Sequence, residues 1–186
     1  MKLEAEAELA NEVFEGESFR GLDLSGLRTS NCTFTACDFT NARLNASEHD
    51  GSDFANSRFE NVYLFGASFE RCRLLGVDFT AATITGLTIA GGDLSYALLR
   101  NHDLSGLDLR NVKAHQVDLT GSDLSGADLR GADLTGAIVH NTILRDADLR
   151  EARLDGVLLS ATQVEGATLD LAGAVQLARS LGADVE

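Results

Sequence analysis

The chain has 186 residues, of which 44% are hydrophobic, and its formal net charge at pH 7 is −14. Such an excess of acid argues against direct binding of nucleic acid or anionic membranes and favours a basic protein surface as the partner. No window is apolar enough to span a membrane and the N-terminus lacks a signal-peptide core, so we expect a cytoplasmic protein. The three cysteines, an odd number, predict no disulfide framework.

A five-residue period organises most of the chain. Residues 1–11 are interpreted as a short acidic lead-in that caps the first coil. Every fifth residue from Phe14 to Leu169 is then Leu, Ile, Val or Phe, apart from Thr29, His49 and Ala114, and no insertion breaks the phase. A short fixed period indicates a solenoid, in which each coil packs only on its neighbours.

Each five-residue unit has an inward side and an outward side. We call the apolar residue of the period the central position. The residue two before it is small or medium-sized, and this spacing places both side chains on one side of an extended backbone. We call it the second inward position. The residue between the two points outward and is often Asp, and the residue two after the centre is often Gly or Asn, as expected at a corner.

The repeat is most regular at 117–136, where one unit is written four times. The units Ala127-Asp128-Leu129-Arg130-Gly131 and Ala132-Asp133-Leu134-Thr135-Gly136 match the consensus Ala-(Asp/Asn)-Leu-X-X in full. Over roughly residues 10–170 the chain therefore resembles the pentapeptide-repeat family. The resemblance implies an all-β fold, a right-handed quadrilateral β-helix of about eight coils over 12–169 with four units per coil.

Four units per coil place residues twenty apart on the same face. Faces 1, 2, 3 and 4 are centred on Phe34, Phe39, Leu44 and His49 and on the residues twenty before and after each. Faces 1 and 2 then carry two ladders of Phe in the N-terminal half, whose rings we expect to stack. Thr29 and His49 fall on face 4 in successive coils. They indicate either a functional site or a structural feature, which would be a mutually satisfied polar pair or a local bulge. We favour the structural interpretation, and we interpret His102 in the same way.

Nothing in the sequence indicates catalysis. Cys32, Cys37 and Cys72 all lie at second inward positions and are interpreted as small core residues, since no clustered His or Cys accompanies them as in a metal site. No phosphate loop, nucleophile elbow or Cys/His pair is present, and a packed column offers no cleft. We therefore expect a protein that is not an enzyme and that uses neither cofactor nor metal.

Residues 170–186 change character. Asp170 is suited to a helix N-cap, and apolar residues then recur at helical spacing before Gly182. This helix could simply cap the last coil, or it could form a homodimer. Ile138 and Leu158 favour the dimer, because they are apolar at outward positions on successive coils. The predicted dimer interface comprises Ile138, Leu158, Leu171, Ala174, Val175, Ala178 and Leu181.

The outward acids form columns along the rod. Asp108, Asp128 and Asp148 fall on face 4, and Asp103 and Asp123 on face 3. At strand spacing the average charge density of the rod is within a factor of about two of that of duplex DNA. On charge alone, we favour the interpretation that these acids merely keep a solenoid in solution and that nearby arginines partly neutralise them.

The resemblance shifts this balance. Uninterrupted repeats, irregular early units around Thr29 and His49, and a short Ala-rich C-terminal helix are similar to the MfpA-like, fluoroquinolone-resistance subgroup of the family. The Gram-negative Qnr proteins, by contrast, carry loops that interrupt the phase. The MfpA-like resemblance implies a homodimer through the C-terminal helix that mimics DNA, binds DNA gyrase, and inhibits it or protects it from fluoroquinolones. The alternative is a non-enzymatic scaffold or toxin-immunity solenoid with another protein partner. The predicted gyrase-binding acids are Asp93, Asp103, Asp108, Asp118, Asp123, Asp128, Asp133 and Asp148.

Overall fold

The computed structural model describes residues 3–185, and within this range short parallel strands are followed by one helix near the C-terminus. The strands are β1 (Glu8–Ala10), β2 (Val13–Glu15), β3 (Arg28–Ser30), β4 (Thr33–Thr35), β5 (Glu48–Asp50), β6 (Ser68–Glu70) and β7 (Thr88–Ala90). A 3-10 helix (Leu159–Ala161) precedes helix α1 (Leu171–Ser180).

The strands stack as a parallel solenoid with a repeat of twenty residues. Strands β1, β3, β5, β6 and β7 form one sheet on face 4, and β2 and β4 pair on face 1. Every pair joins residues twenty apart, and single bridges with the same offset continue the stack as far as Asp148 and Thr168. The predicted all-β solenoid with a short C-terminal helix is confirmed. Pairing already begins at Glu8, inside the segment interpreted as a lead-in.

Most corners depend on a residue with left-handed backbone geometry. Asn31 has φ of 52° and Gly51, one coil later, has φ of 59°. A Cβ atom on Gly51 would lie 2.6 Å from Oδ1 of Asn31, so this corner combines a positive φ with a close approach that favours glycine. Tight turns enclose such corners: around Gly26, for example, the amide of Leu27 donates to the carbonyl of Leu24 at 3.1 Å.

Aromatic stacking fills the N-terminal half of the core. On face 1 the ring centroids of Phe14, Phe34 and Phe54 follow one another at 5.0 Å, with neighbouring planes within 11° of parallel. On face 2 the rings of Phe19 and Phe39 stack at 4.9 Å, but those of Phe39 and Phe59 are tilted by 49° at 5.2 Å. Both predicted ladders are present, and the predicted stacking is confirmed on face 1 and only at the start of face 2, where it adds a modest attraction to the burial of apolar area.

The polar residues on face 4 form a buried hydrogen-bonded chain. The Nδ1 atom of His49 lies 2.8 Å from Oγ1 of Thr29, and its Nε2 atom lies 2.9 Å from Oγ of Ser47. The Ser47 hydroxyl donates to the carbonyl of Leu44, so it accepts from Nε2–H, and the Thr29 hydroxyl donates to Nδ1. Burial lowers the pKa of His49 to about 3, and the ring is therefore neutral at physiological pH. The satisfied polar pair is confirmed.

The cysteines are core residues, as predicted. Cys32, Cys37 and Cys72 are free and buried. Burial raises the pKa of the Cys37 thiol and, more strongly, that of Cys72 to about 12. Across residues 3–185 no cluster of His, Cys, Asp and Glu could hold a metal ion. No helix in the same range is long and apolar enough to cross a membrane.

Helix α1 is seated on the last coil. The Asp170 carboxylate caps it, with Oδ1 accepting from the amide of Gly173 at 2.9 Å and Oδ2 from that of Glu151 at 2.8 Å. Gly173 is the buried residue of the helix, and a Cβ there would lie 3.0 Å from Leu169. The predicted N-cap is thus confirmed, and the same side chain also ties the helix to the coil below.

Candidate protein-binding surface

The outward Asp of each unit performs a local structural task. In the Asp103 unit, Oδ1 accepts from the amide of Ser105 at 3.0 Å and from its hydroxyl at 2.6 Å. Asp123 makes the same pair of bonds to Ser125. Short side chains that bond to the backbone two residues later stabilise turns. These acids therefore hold the corner with one oxygen and present the other to solvent.

On face 4 the predicted acids are paired with arginines. Asp108, Asp128 and Asp148 each bind the arginine two residues later, Arg110, Arg130 and Arg150, through two parallel hydrogen bonds of 2.5 to 2.9 Å. Arg110 also reaches Asp128 in the next coil at 3.7 Å, and Arg130 reaches Asp148 at the same distance. The column is thus an alternating ladder of charges with no net charge of its own.

The arginine ladder also explains the acidity of these carboxyls. The hydrogen bond from Arg110 lowers the pKa of Asp108 to about 2, and that from Arg150 lowers the pKa of Asp148 to about 2. The bond from Arg130 likewise lowers the pKa of Asp128. The carboxyls are ionised at neutral pH, which suits the display of charge rather than proton transfer.

Two further predicted acids, Asp118 and Asp133, are paired with arginines, and Asp118 does not lie at the surface. Asp118 is only 3% exposed, and Arg100 covers it with a contact of 2.6 Å. Burial raises its pKa, but bonds from Arg100 and Thr120 outweigh burial and the net pKa is lowered. Placing Asp118 on the acidic surface was therefore wrong, because the arginine lies over it. Asp133 is half-buried and pairs with Arg153 at 3.4 Å.

Three predicted acids remain without an ion pair among the described residues: Asp93, Asp103 and Asp123. Asp103 and Asp123 are bridged neighbours on face 3 and form a short negative column. Asp93 lies on face 1, where Lys113 separates it from Asp133. The eight predicted residues are thus spread over all four faces, and only a subset of them displays unpaired charge.

The sequence interpretation underweighted a denser group of acids at the N-terminal end. Residues 3–19 contain no Lys or Arg, whereas Glu4, Glu6, Glu8, Glu12, Glu15 and Glu17 lie there, and all six are exposed. Arg28 from the next coil reaches Glu8 at 3.2 Å. The composition of residues 3–19 signals this group in the sequence, whereas the repeat pattern singles out only the outward Asp.

The predicted dimer residues form an apolar surface at the other end. Ile138 is 50% exposed and Leu158 67%, and they occupy equivalent outward positions on neighbouring coils. Leu171 at the start of α1 is 83% exposed, Leu181 just after its end is 67% exposed, and Ala174 is exposed too. Val175 and Ala178 are half-buried against the coil, so they contribute less to this surface.

The sequence and the fold were compared with known proteins. The model of the family described as pentapeptide repeats matches residues 50–80, 57–91, 90–126 and 122–160, which together span more than half of the chain. No curated protein matches the sequence.

Solved structures provide the second comparison. Two trypsin-treated variants of QnrB1, described as a plasmid-mediated fluoroquinolone resistance protein, superpose with TM-scores of 0.81 and 0.82 at 23% and 24% identity. The alignments cover 97% and 100% of this chain and 100% and 94% of QnrB1. Full-length QnrB1 superposes with a TM-score of 0.56 at 22% identity, covering 96% of this chain and 92% of that one. Identities this low establish the shared fold. The family match and the twenty-residue ladder together show that the chain belongs to the pentapeptide-repeat family.

Proposed function

We propose that this protein binds DNA gyrase as a mimic of DNA, and that it inhibits the enzyme or protects it from fluoroquinolones without catalysing a reaction. The observation that carries the proposal is the regular stack of outward acids on a rod. The ladder spans 160 residues at twenty per coil, or roughly 38 Å at strand spacing. Of the net charge of −14, residues 1–7 contribute −1 and residues 169–186 contribute −2, which leaves −11 on the ladder. This averages one charge per about 3.5 Å, against one per about 1.7 Å in duplex DNA.

The unpaired acids are the residues that would face gyrase. Asp103 and Asp123 on face 3, Asp93 on face 1 and four glutamates of the N-terminal end display charge that arginine does not neutralise among the described residues. The four glutamates are Glu6, Glu12, Glu15 and Glu17. A basic DNA-binding surface would supply the missing cations, and its attraction would fall as salt screens the charges. The likeness to QnrB1, a fluoroquinolone resistance protein, supports the same assignment through the fold.

The test is a supercoiling assay with gyrase, titrated with this protein in the presence and absence of a fluoroquinolone. The informative variant is Asp93→Asn, Asp103→Asn and Asp123→Asn combined, since Asn keeps the oxygen that holds the corner. We expect it to inhibit supercoiling, or to rescue it from the drug, several-fold less well than the native chain. The control is Asp128→Asn with Arg130→Gln, which removes one pair and leaves the net charge unchanged. If both variants match the native protein, the unpaired acids are not the contact.

We further propose that two chains associate through the exposed apolar surface of Ile138, Leu158 and α1. Exposed apolar patches of this kind mark interfaces, and an isologous contact there would join two rods end to end. Leu158→Glu should convert the dimer to a monomer in size-exclusion chromatography with light scattering. Phe65→Glu is the matched control, because Phe65 is 62% exposed but lies on face 3 away from the helix. A native chain that is monomeric at high concentration rejects the dimer.

One observation favours a second candidate, a scaffold with another protein partner. The Asp/Arg ladder of face 4 is evenly mixed rather than acidic, and a mixed surface suits a partner that is itself mixed in charge. The supercoiling assay separates the two candidates, because a scaffold of this kind leaves gyrase unaffected.

A further inference from the structure

The stack of coils is interrupted half-way along the rod on two of its four faces. Bridges between residues twenty apart run from Val13 to Arg153 on face 1 and from Ser18 to Ile138 on face 2. On face 3 they stop at Thr83 and resume at Asp103. On face 4 they stop at Thr88 and resume at Asp108. We call this interruption, between segments 81–91 and 100–111, the seam.

The backbone groups along the seam have lost their ladder partners. Within the described chain no backbone hydrogen bond joins 81–91 to 100–111. One coil later the equivalent amides of Leu104, Gly106 and Leu109 donate normally, at 2.7 to 2.9 Å. The amides of Ile84 and Gly86 therefore face solvent or the neighbouring groove of about 420 Å³, which is lined by 82–87, 102–105 and Leu107.

Oversized inward side chains account for the opening on face 3. At its second inward positions this face carries Ala42, Val62, Ala82, His102, Ser122 and Thr142 in successive coils. Thr142 donates through its short side chain to the carbonyl of Leu119, twenty-three residues earlier, at 2.8 Å. His102 makes the same type of bond to Phe79, but through Nε2 at the far end of the imidazole, at 2.7 Å. The larger ring spaces the two coils further apart than a hydroxyl does.

Oversized inward side chains also account for the opening on face 4. Its second inward positions from Ser47 to Ala167 are Ser or Ala, except for Leu87 and Leu107, which follow one another across the seam. Two leucines in succession need more room than Ala on Ala, and overfilling a packed interior displaces the backbone. Leu107 is accordingly only half-buried, whereas Ala127 one coil later is fully buried.

The opposite side of the rod stays closed at this level. The amide of Phe79 donates to Leu98 at 2.9 Å, and that of Leu94 donates to Lys113 at 2.6 Å. Gly92 approaches the coil below so closely that an added Cβ would lie 2.1 Å from the carbonyl of Cys72. The coils are thus pressed together at one side and separated at the other, which is the geometry of a bend.

We propose that the seam is a hinge, at which the two halves of the rod bend by opening and closing faces 3 and 4 about the closed contacts of faces 1 and 2. One coil later, on the same faces, a bend would break ladder hydrogen bonds such as those donated by Leu104 and Leu109. At the seam those bonds are already absent, so motion there costs less. The hinge does not depend on the proposed partner.

Amide hydrogen exchange tests whether the seam is open. We expect the amides of Ile84, Gly86 and Ile89 to exchange at least about tenfold faster than those of Leu104, Gly106 and Leu109, which occupy the same positions one coil later. Combining His102→Ser with Leu107→Ala restores small inward residues and should remove this difference. Circular dichroism and thermal unfolding confirm that the variant folds. Equal exchange in the native chain overturns the proposal.

Distances between nitroxide labels test whether the seam moves. Labels at Phe65→Cys and Arg145→Cys span the open side over four coils, and labels at Leu75→Cys and Asp155→Cys span the closed side over the same number. The native thiols are buried, so labelling is directed to the new sites. We expect a distance distribution at least about twice as broad for the open-side pair, narrowing in the His102→Ser, Leu107→Ala background. Equal widths in the native chain mean a static gap and overturn the hinge.

Discussion

At the scale of single residues, polar groups in the core are held by matched hydrogen bonds. His49 is a polar residue in the central column of face 4, which is apolar from Phe69 onward. Both of its ring nitrogens have hydrogen-bond partners, in Thr29 and Ser47. The ring also stacks on Phe69, with centroids 4.7 Å apart. The residue thus behaves as a neutral aromatic side chain, and it remains neutral only while the fold shields it from water.

His49 predicts a specific pH dependence of stability. Its pKa is about 3 in the folded chain and about 6.5 when unfolded, so the unfolded state binds the proton more readily. Its contribution is complete above pH 6.5 and is lost as pH falls from 6.5 towards 3. Urea unfolding at pH 6.5 and pH 5 should show a loss of about 2 kcal/mol from this residue. The loss should be absent in His49→Phe; an identical loss in that variant would assign it to other groups.

A second residue-scale prediction compares a buried and an exposed phenylalanine. Phe54 is fully buried between the rings of Phe34 and Phe59, whereas Phe65 is 62% exposed. Phe54→Ala should reduce the free energy of unfolding by about 3 to 5 kcal/mol, because it leaves a cavity in the column. Phe65→Ala should change it by less than about 0.5 kcal/mol. Similar values from chemical denaturation would contradict the stacked core.

At the scale of elements, each coil gains its shape from the alternation of inward side chains and corner residues. Three-residue strands are too short to be stable alone, and they persist because each is paired with the coil before and after it. Helix α1 ends the stack of coils. Its buried residue Gly173 packs on the last coil, so the helix covers the end of the solenoid there.

The cap of α1 is a testable element-scale contact. Asp170 accepts from the amides of both Gly173 and Glu151, so Asp170→Ala removes two bonds and loosens the helix from the coil. We expect faster amide exchange throughout α1, a lower urea midpoint and unchanged exchange in β3 and β5. Asp170→Asn retains one acceptor oxygen, so its exchange rates and urea midpoint should lie between those of the native chain and those of the Ala variant. An unaltered helix in the Ala variant would show that the cap does not anchor it.

Most of the fold could be predicted from the sequence, because the period of five determines which side chains face inward. The Phe ladders, the Thr29–His49 pair and the Asp170 cap all follow from position in the repeat and are found in the structure. The burial of Asp118 beneath Arg100 could not be predicted this way, because it depends on the reach of a side chain from a neighbouring coil. The large side chains of His102 and Leu107 at inward positions indicate the seam in the sequence. How far they separate the coils depends on the residues of the preceding coil on which they pack.

At the scale of the whole molecule, charge is displayed unevenly along the rod. The N-terminal end presents unbalanced glutamates, face 3 presents two unpaired aspartates, and the column of Asp108, Asp128 and Asp148 on face 4 is neutralised by its arginines. A rod with this pattern should bind a basic partner in an orientation fixed by its acidic parts, and salt should weaken that binding. Affinity for gyrase is therefore expected to fall at least about tenfold between 50 and 200 mM salt. A flat salt dependence measured by surface plasmon resonance would argue against an electrostatic contact.

The most direct test of the central proposal is competition between this protein and DNA for gyrase. Gyrase is first loaded with fluorescently labelled duplex DNA, and the protein is then added while fluorescence anisotropy is followed. Mimicry predicts that DNA is displaced in proportion to the protein bound, and that the Asp93, Asp103 and Asp123 to Asn variant displaces it less well. A complex that contains gyrase, labelled DNA and this protein together, with anisotropy unchanged, would contradict the account.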